Sequence, residues 1–230
     1  MDTDIYVYCY NYIFILDNQP RMKTITKILS ATILIISISM IVIRTFVGEI
    51  TFVTSNSMFP TLASGDKVWS NKWIYGIVLP RRLKEVPLLN IACLIPLIEN
   101  ADKKTDWGYH RIGKQTWPER MDIILFKWEE TDSQLYIKRV IGLPGDTIEI
   151  KKGKVYIGNQ LLKEEVTDIV STDDYGPVIV KEQSYFVMGD CRTNSTDSRT
   201  RGLVEFRNIV GKASYKLGRG EAFNKWKSLY

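Results

Sequence analysis

Residues 122–128 read DIILFKW, and residues 135–157 read LYIKRVIGLPGDTIEIKKGKVYI. Short runs rich in Ile, Val, Leu and aromatic side chains, punctuated by Gly, Pro and Asp, have the pattern of strands. Asp122–Trp128 predicts a buried strand and Leu135–Ile141 another. Thr147–Ile150 and Lys154–Ile157 flank Lys151-Lys152-Gly153 and predict a hairpin. Working outward, Asp66–Ser70 follows a Ser64-Gly65 turn, and Gly158-Asn159 turns into Gln160–Leu162. Ser184–Met188 and Ile209–Ala213 complete the set. Long amphipathic helical patterns are missing, so the expected class is mainly β, sandwich- or barrel-like.

The run before this body is different. Ile28–Ile43 reads ILSATILIISISMIVI, sixteen positions without a charge. At about 1.5 Å per residue it spans roughly 24 Å. Lys27 and Arg44 close it and can snorkel, so Ile25–Val47 is the expected transmembrane helix. It is apolar all round, unlike a core helix with a polar face. It is also long for a cleavable leader and lacks a nearby small-residue cleavage pattern. Arg21, Lys23 and Lys27 precede it and only Arg44 follows closely. The positive-inside rule therefore puts the N-terminus in the cytoplasm and the β body across the membrane. Ile5–Leu16 is apolar but too short to span, and Met22 has the look of a start. Met1–Arg21 is read as an upstream extension or an interfacial segment.

Residues 73–117 break the pattern of the β body. They include YGIVLPRRLKEVPLLNIACLIPLIEN (75–100), apolar yet interrupted by Pro80, Pro87 and Pro96. Each apolar piece is too short for a second span, and Arg81, Arg82, Lys84 and Glu85 argue against one. The expectation is an inserted subdomain that shapes a substrate entrance or rests on the bilayer.

Composition removes several function classes. The chain of 230 residues is 45% hydrophobic and 25% charged, which suits a packed core. Its net charge of +5 comes from scattered basic residues without an arginine-rich arm, so no nucleic-acid partner is expected. Cys9, Cys93 and Cys191 form no Cys-x-x-Cys pair, so no structural zinc, metal or other cofactor is expected. A Cys93–Cys191 disulfide stays open for an oxidising compartment, although nothing in the sequence requires it.

The chemistry rests on three segments. Ser57 lies between a strand-like run, Ile50–Thr54, and a turn stiffened by Pro60. Serine is a weak nucleophile and needs a base. His110 is the single histidine. Lys138 is the other candidate, because strand alternation puts it on a face with Tyr136 and Val140. Burial there disfavours the ammonium, and a neutral amine can take the serine proton. The third segment, Gly189–Arg199, is dense in hydrogen-bonding side chains, and Asp197 and Arg199 can pair.

Ser55-x-Ser57-Met58-x-Pro60-Thr61, then Tyr136–Asp146, then Gly189-Asp190-x-Arg192-x-x-Ser195-x-Asp197-Ser198-Arg199 resemble, in residues and order, the bacterial type I signal peptidase family. The resemblance runs from the anchor to about Lys212, with 73–117 and 150–183 loosely covered. It implies a serine endopeptidase that removes signal peptides from exported preproteins. In it Ser57 is the nucleophile and Lys138 the general base. Ser55 joins the Ser57 backbone N–H in the oxyanion hole, and Ser195 orients the lysine. Asp190, Asp197 and Arg199 support the site, and Met58 and Tyr136 line the substrate cleft. The substrate lies extended between the strand before Ser57 and the strand carrying Lys138. Small residues are selected at positions −1 and −3. The expected localisation is the bacterial cytoplasmic membrane, single-pass, with the catalytic domain on the periplasmic side. Membrane lipid and a nearby secretion translocon are the other expected partners.

The implied organisation is a cytoplasmic segment 1–24, an anchor 25–47, and a β-rich peptidase domain 48–230 with an insert at about 73–117 and a short cap-like region at about 150–183. Two positions depart from the family pattern. Met121 stands where the family often has glycine, so a glycine-permissive backbone is not essential or the turn differs. Cys191 stands where it often has asparagine. Three rival readings remain: a self-cleaving Ser/Lys repressor, a non-catalytic membrane-tethered β-domain, and a maturation peptidase with one dedicated substrate. The first is disfavoured because repressors of that kind are soluble and this chain has no helix-turn-helix pattern. The intact Ser57 and Lys138 weigh against the second.

Overall fold

A computed structural model describes residues 20–86, 89–113, 116–129, 134–164, 172–222 and 225–230. The expectation for Met1–Arg21 falls almost wholly outside them. The chain forms two compact units, Met1–Ile43 and Arg44–Tyr230.

The first unit is dominated by helix α1, Pro20–Val42, which a π-helical turn, Ile43–Val47, continues. The stretch Met22–Val47 is long and apolar enough to cross a membrane, and among the described residues no other helix is. Three of its hydroxyl side chains bond back to the helix. Thr26, Ser30 and Thr32 donate to the carbonyls of Met22, Lys27 and Ile28 at 2.9, 2.9 and 2.8 Å. Hydroxyls that bond back to their own helix add little polarity to its surface.

The second unit is built on β-sheet. Its strands are β1 (Gly48–Phe52), β2 (Lys67–Asn71), β3 (Ile77–Val78), β4 (Arg111–Ile112), β5 (Ile123–Phe126), β6 (Tyr136–Gly142) and β7 (Thr147–Lys151). They continue as β8 (Lys154–Ile157), β9 (Gln160–Leu161), β10 (Tyr175–Ile179), β11 (Ser184–Met188), β12 (Val204–Glu205), β13 (Ile209–Leu217) and β14 (Lys227–Ser228). The main antiparallel sheet runs β1-β2-β13-β5-β6-β11-β12, with β14 on β13. A smaller sheet, β10-β7-β8-β9, draws its strands from residues 147–179, and β3 pairs β4 at the root of the segment 73–117. That segment holds the nine-residue helix α2, Pro96–Lys104, and two 3₁₀ turns, all too short to span a membrane.

The unalternating DIILF run is explained by burial on both faces. Ile124 and Phe126 enter one apolar cluster with Val140, Tyr185 and Val187, while Ile123 and Leu125 enter another with Val53, Met58 and Leu62. Each of these β5 side chains is fully buried, which stabilises the fold by about 1.5–3 kcal/mol apiece. A third cluster, with Ile141, Ile148 and Phe186, joins the small sheet to the main one. The expected hairpin is present: Lys151 pairs Lys154 across Lys152 and Gly153, whose φ values of 49° and 74° make a two-residue turn of the primed type. Cys93 and Cys191 are both free and buried.

Candidate active site

β6 carries Lys138 opposite Ile124 and Arg139 opposite Ile123. The alternation read from the sequence therefore holds, and Lys138 lies on the face of Val140, 4% exposed. Its Nζ donates to Ser57 Oγ at 2.5 Å. Burial pushes the amine down to about 8, against the opposing pull of Asp197 and Asp190.

Ser57 sits in the turn after β1. The turn is closed by Phe59 N–H to Asn56 O at 3.0 Å and Leu62 N–H to Met58 O at 2.8 Å. Ser55 Oγ is 3.2 Å from Ser57 Oγ, and either hydroxyl can donate. The Ser57 carbonyl accepts from the Cys191 N–H at 3.1 Å, which ties the serine turn to the Gly189–Cys191 loop. This contact uses the Cys191 backbone, so the asparagine-to-cysteine departure leaves it unchanged.

Asp190 is buried and binds Arg139 through both carboxylate oxygens, at 2.8 and 2.7 Å. It also accepts from Thr61 Oγ1 at 2.5 Å, and Arg139 reaches Thr61 Oγ1 at 3.2 Å. Three segments thus meet on one charge-assisted network: the serine turn, the lysine strand and the third motif. Arg139 and Thr61 were not singled out from the sequence. Strand alternation put Arg139 on a face with Ile137 and Ile141; the structure buries it, and a buried guanidinium requires a partner.

Asp197 is fully buried and caps the short helix α3, Ser198–Arg201. Burial raises its carboxyl, but the Arg199 guanidinium, bound at 2.9 Å through two nitrogens, and the Gly189 N–H at 3.0 Å outweigh that. The group stays below the usual carboxylate range. Ser195 lies in the same loop, but no hydrogen bond joins it to Lys138. Its Oγ is buried. Gly189 is needed for close approach. A Cβ there would stand 2.3 Å from Ser195 Oγ and 2.4 Å from Ser57 O.

A groove of about 260 Å³ leads to the two side chains. One wall is Phe52–Ser55, the other Gln134–Lys138, with Met58 and Thr196 also lining it. Among the described residues, β1 pairs only with β2, and β6 residues 136–138 pair only with β5. Both walls therefore offer a strand edge to an extended peptide. His110 lies in the segment 73–117, exposed and within 3.1 Å of the Trp107 carbonyl, and does not line the groove.

The chain matches the family model described as signal peptidase, peptidase S26, over residues 25–217. It belongs to the signal peptidase family. A probable signal peptidase I-2 from Synechocystis sp. is 32% identical over 178 residues, covering 74% of this chain and 63% of that protein. The signal peptidase I P of Bacillus subtilis subsp. natto is 32% identical over 206 residues, covering 85% of this chain and 90% of its own. A crystal structure of a signal peptidase I from Enterococcus faecalis V583 aligns with 43% of this chain and 98% of its own, at 32% identity and a TM-score of 0.38. As a signal peptidase the chain is a peptide-bond hydrolase that cleaves signal peptides. The rival reading as a non-catalytic tethered domain falls with that membership. The turn before β5 is left-handed at Met121. Met121 adopts φ 74°, so the turn keeps a backbone that glycine would adopt freely.

Proposed function

We propose that this signal peptidase works through Ser57 as nucleophile and Lys138 as general base. The observation that carries the reading is the 2.5 Å contact between a buried lysine amine and the serine hydroxyl. In its neutral form the amine takes the Ser57 proton as Oγ attacks the scissile carbonyl carbon. Ser55 Oγ and the Ser57 backbone N–H donate to the oxyanion. The lysine ammonium then hands its proton to the departing amine, leaving an ester on Ser57. A water molecule, deprotonated by the same lysine, attacks that ester and frees the serine. Asp190, Asp197 and Arg199 hold the loop against which the serine turn rests. Ser195, which stands beside Gly189, orients the lysine amine in this reading.

In this reading the peptide lies between Phe52–Ser55 and Tyr136–Lys138 and pairs with both edges. Met58 and Tyr136 border the positions where residues −1 and −3 are held, and the small groove favours small side chains. Met22–Val47 anchors the chain in the cytoplasmic membrane. Residues 1–24 are cytoplasmic, and the domain 48–230 lies on the extracytoplasmic side, near the translocon that delivers its substrates.

The test is cleavage of a preprotein whose signal ends in Ala-x-Ala. Ser57→Ala and Lys138→Ala should each abolish turnover while His110→Ala keeps most of it. Wild-type turnover in either of the first two overturns the assignment.

A further inference from the structure

We propose that the segment 73–117 and the cleft at its root form a phospholipid-binding face, in which the cleft takes a headgroup phosphate and the exposed apolar side chains of the segment enter the bilayer interface. This rests on the anchored reading above and goes beyond it.

The first observation is where the segment begins. Gly48 pairs Asn71 across β1 and β2, and the Lys72 N–H donates to the Val47 carbonyl at 3.1 Å. Val47 is the last residue of the apolar stretch. The chain therefore enters the segment at Trp73 beside the point where the stretch ends, which is headgroup level for an anchored protein.

The second is the surface of the segment. Leu94 and Leu97 are 81% and 80% exposed, and Trp73 and Trp107 are 59% and 49% exposed. Its root is firmly held. Tyr75 and Ile77 are buried, and the Arg111 guanidinium donates to the carbonyls of Tyr75, Phe206 and Ile209. A well-fixed segment that presents leucine and tryptophan to solvent has the composition of an interfacial element. The segment carries seven basic and four acidic side chains, a balance that favours an anionic surface.

The third is the cleft itself, of about 320 Å³. Five cationic side chains line it (Arg44, Lys72, Arg81, Lys127 and Arg207) against two carboxylates, Glu49 and Glu85. Glu49 is shared between Arg44 at 3.6 Å and Lys72 at 3.3 Å, and Glu85 stands 3.9 Å from Lys127. Arg81 and Arg207 also meet Asp106 and Glu205. Thr45 Oγ1 and Asn208 Oδ1 belong to residues of the same lining, and both atoms are buried without a hydrogen-bond partner among the described residues. One can donate and the other can only accept. A phosphate diester carrying a nearby hydroxyl or ammonium satisfies both, and glycerophospholipid headgroups have that chemistry.

The test uses the full chain. Reconstituted into vesicles of phosphatidylglycerol and phosphatidylethanolamine with brominated acyl chains, the protein should show quenched tryptophan fluorescence. A Trp73→Phe/Trp107→Phe variant should lose most of the quenchable signal, and undiminished quenching overturns the interfacial placement. Native mass spectrometry of the detergent-solubilised chain with short-chain phosphatidylglycerol reads the cleft. Thr45→Val/Lys72→Gln should weaken retention by about fivefold or more, the scale of one lost basic contact. Unchanged retention overturns the headgroup site, as does equal competition by inorganic phosphate at the same concentration. Failure of the anchored reading looks different: the chain then stays in solution when the vesicles are pelleted.

Discussion

Lys138 Nζ lies 2.5 Å from Ser57 Oγ across 81 residues of chain. The pair is set by a buried strand on one side and a closed turn on the other, so neither partner relies on a free loop. With the amine pushed down to about 8, roughly a tenth of it is neutral at pH 7. Only that fraction accepts the serine proton. The rate constant kcat/KM should therefore rise about tenfold per pH unit below 8 and level off above about 9. Lys138→Arg should fail as completely as Lys138→Ala, since a guanidinium stays protonated. A flat profile between pH 6 and 9 would remove lysine from the base role.

Much of this was legible in the sequence, because the fold is made of short strands whose apolar runs declare themselves. β11 matches the expected Ser184–Met188, and the Lys152-Gly153 turn follows from local chemistry alone. Lys138 was legible for the same reason: alternation needs only neighbours in the chain. What escaped depends on contacts between distant segments. Nothing near Thr61 announces Arg139 or Asp190, and β10 contains a Gly176-Pro177 pair that reads as a turn. The 3₁₀ turns and the short helix of 73–117 escaped because proline-broken apolar pieces carry no period.

The Arg139–Asp190 pair should matter more for stability than its surface counterparts. Both side chains are nearly excluded from solvent, at 7% and 2% exposure. Asp190→Ala leaves a buried guanidinium without its counter-ion, which costs about 3–5 kcal/mol. Urea unfolding of the full chain in detergent measures it. A loss under 1 kcal/mol would mean that water reaches Arg139. Arg81, paired with a 42% exposed Asp106, is the control and should cost little when replaced by Gln.

Asp197 predicts an acid limit. Its folded carboxyl sits below the ordinary value, so the unfolded chain takes up the proton first as pH falls. The stability it contributes is complete above about pH 4 and drains away as pH drops through the lower folded value. Asp197→Asn removes that contribution at every pH. The gap between wild type and variant in urea midpoint should be wide at pH 6 and narrow at pH 3. A gap independent of pH would show that the carboxylate charge is not what stabilises the loop.

Met121 carries a left-handed backbone at a non-glycine residue. Such a conformation costs about 1–2 kcal/mol, and part of it is offset because Met121 packs against the cluster of Ile141 and Ile148. Met121→Gly relieves the strain and loses the packing, so its net change should stay within about 1 kcal/mol. Met121→Val keeps an apolar side chain but adds β-branching, which fits φ 74° poorly, and should be clearly the less stable variant. Equal stability of the two would mean that the turn does not hold this backbone in solution.

Gly189 offers the sharpest structural test of how the third motif serves the serine. The added methyl of Gly189→Ala meets the Ser195 side chain, at 2.3 Å from Oγ and 2.6 Å from Cβ, and the main-chain Ser57 O at 2.4 Å. The hydroxyl can rotate away, whereas the carbonyl moves only with the serine turn, which the Cys191 N–H holds by that same oxygen. The substitution should therefore cost activity by displacing Ser57 from Lys138, with a drop in kcat of tenfold or more on the scale of a 1 Å misplacement. Gly189→Ala/Ser195→Gly separates the two causes. If the carbonyl clash dominates, the double variant stays at the level of Gly189→Ala, well below Ser195→Gly alone. Recovery to the Ser195→Gly level would put the whole effect in Ser195 and leave the serine turn independent of the loop behind it.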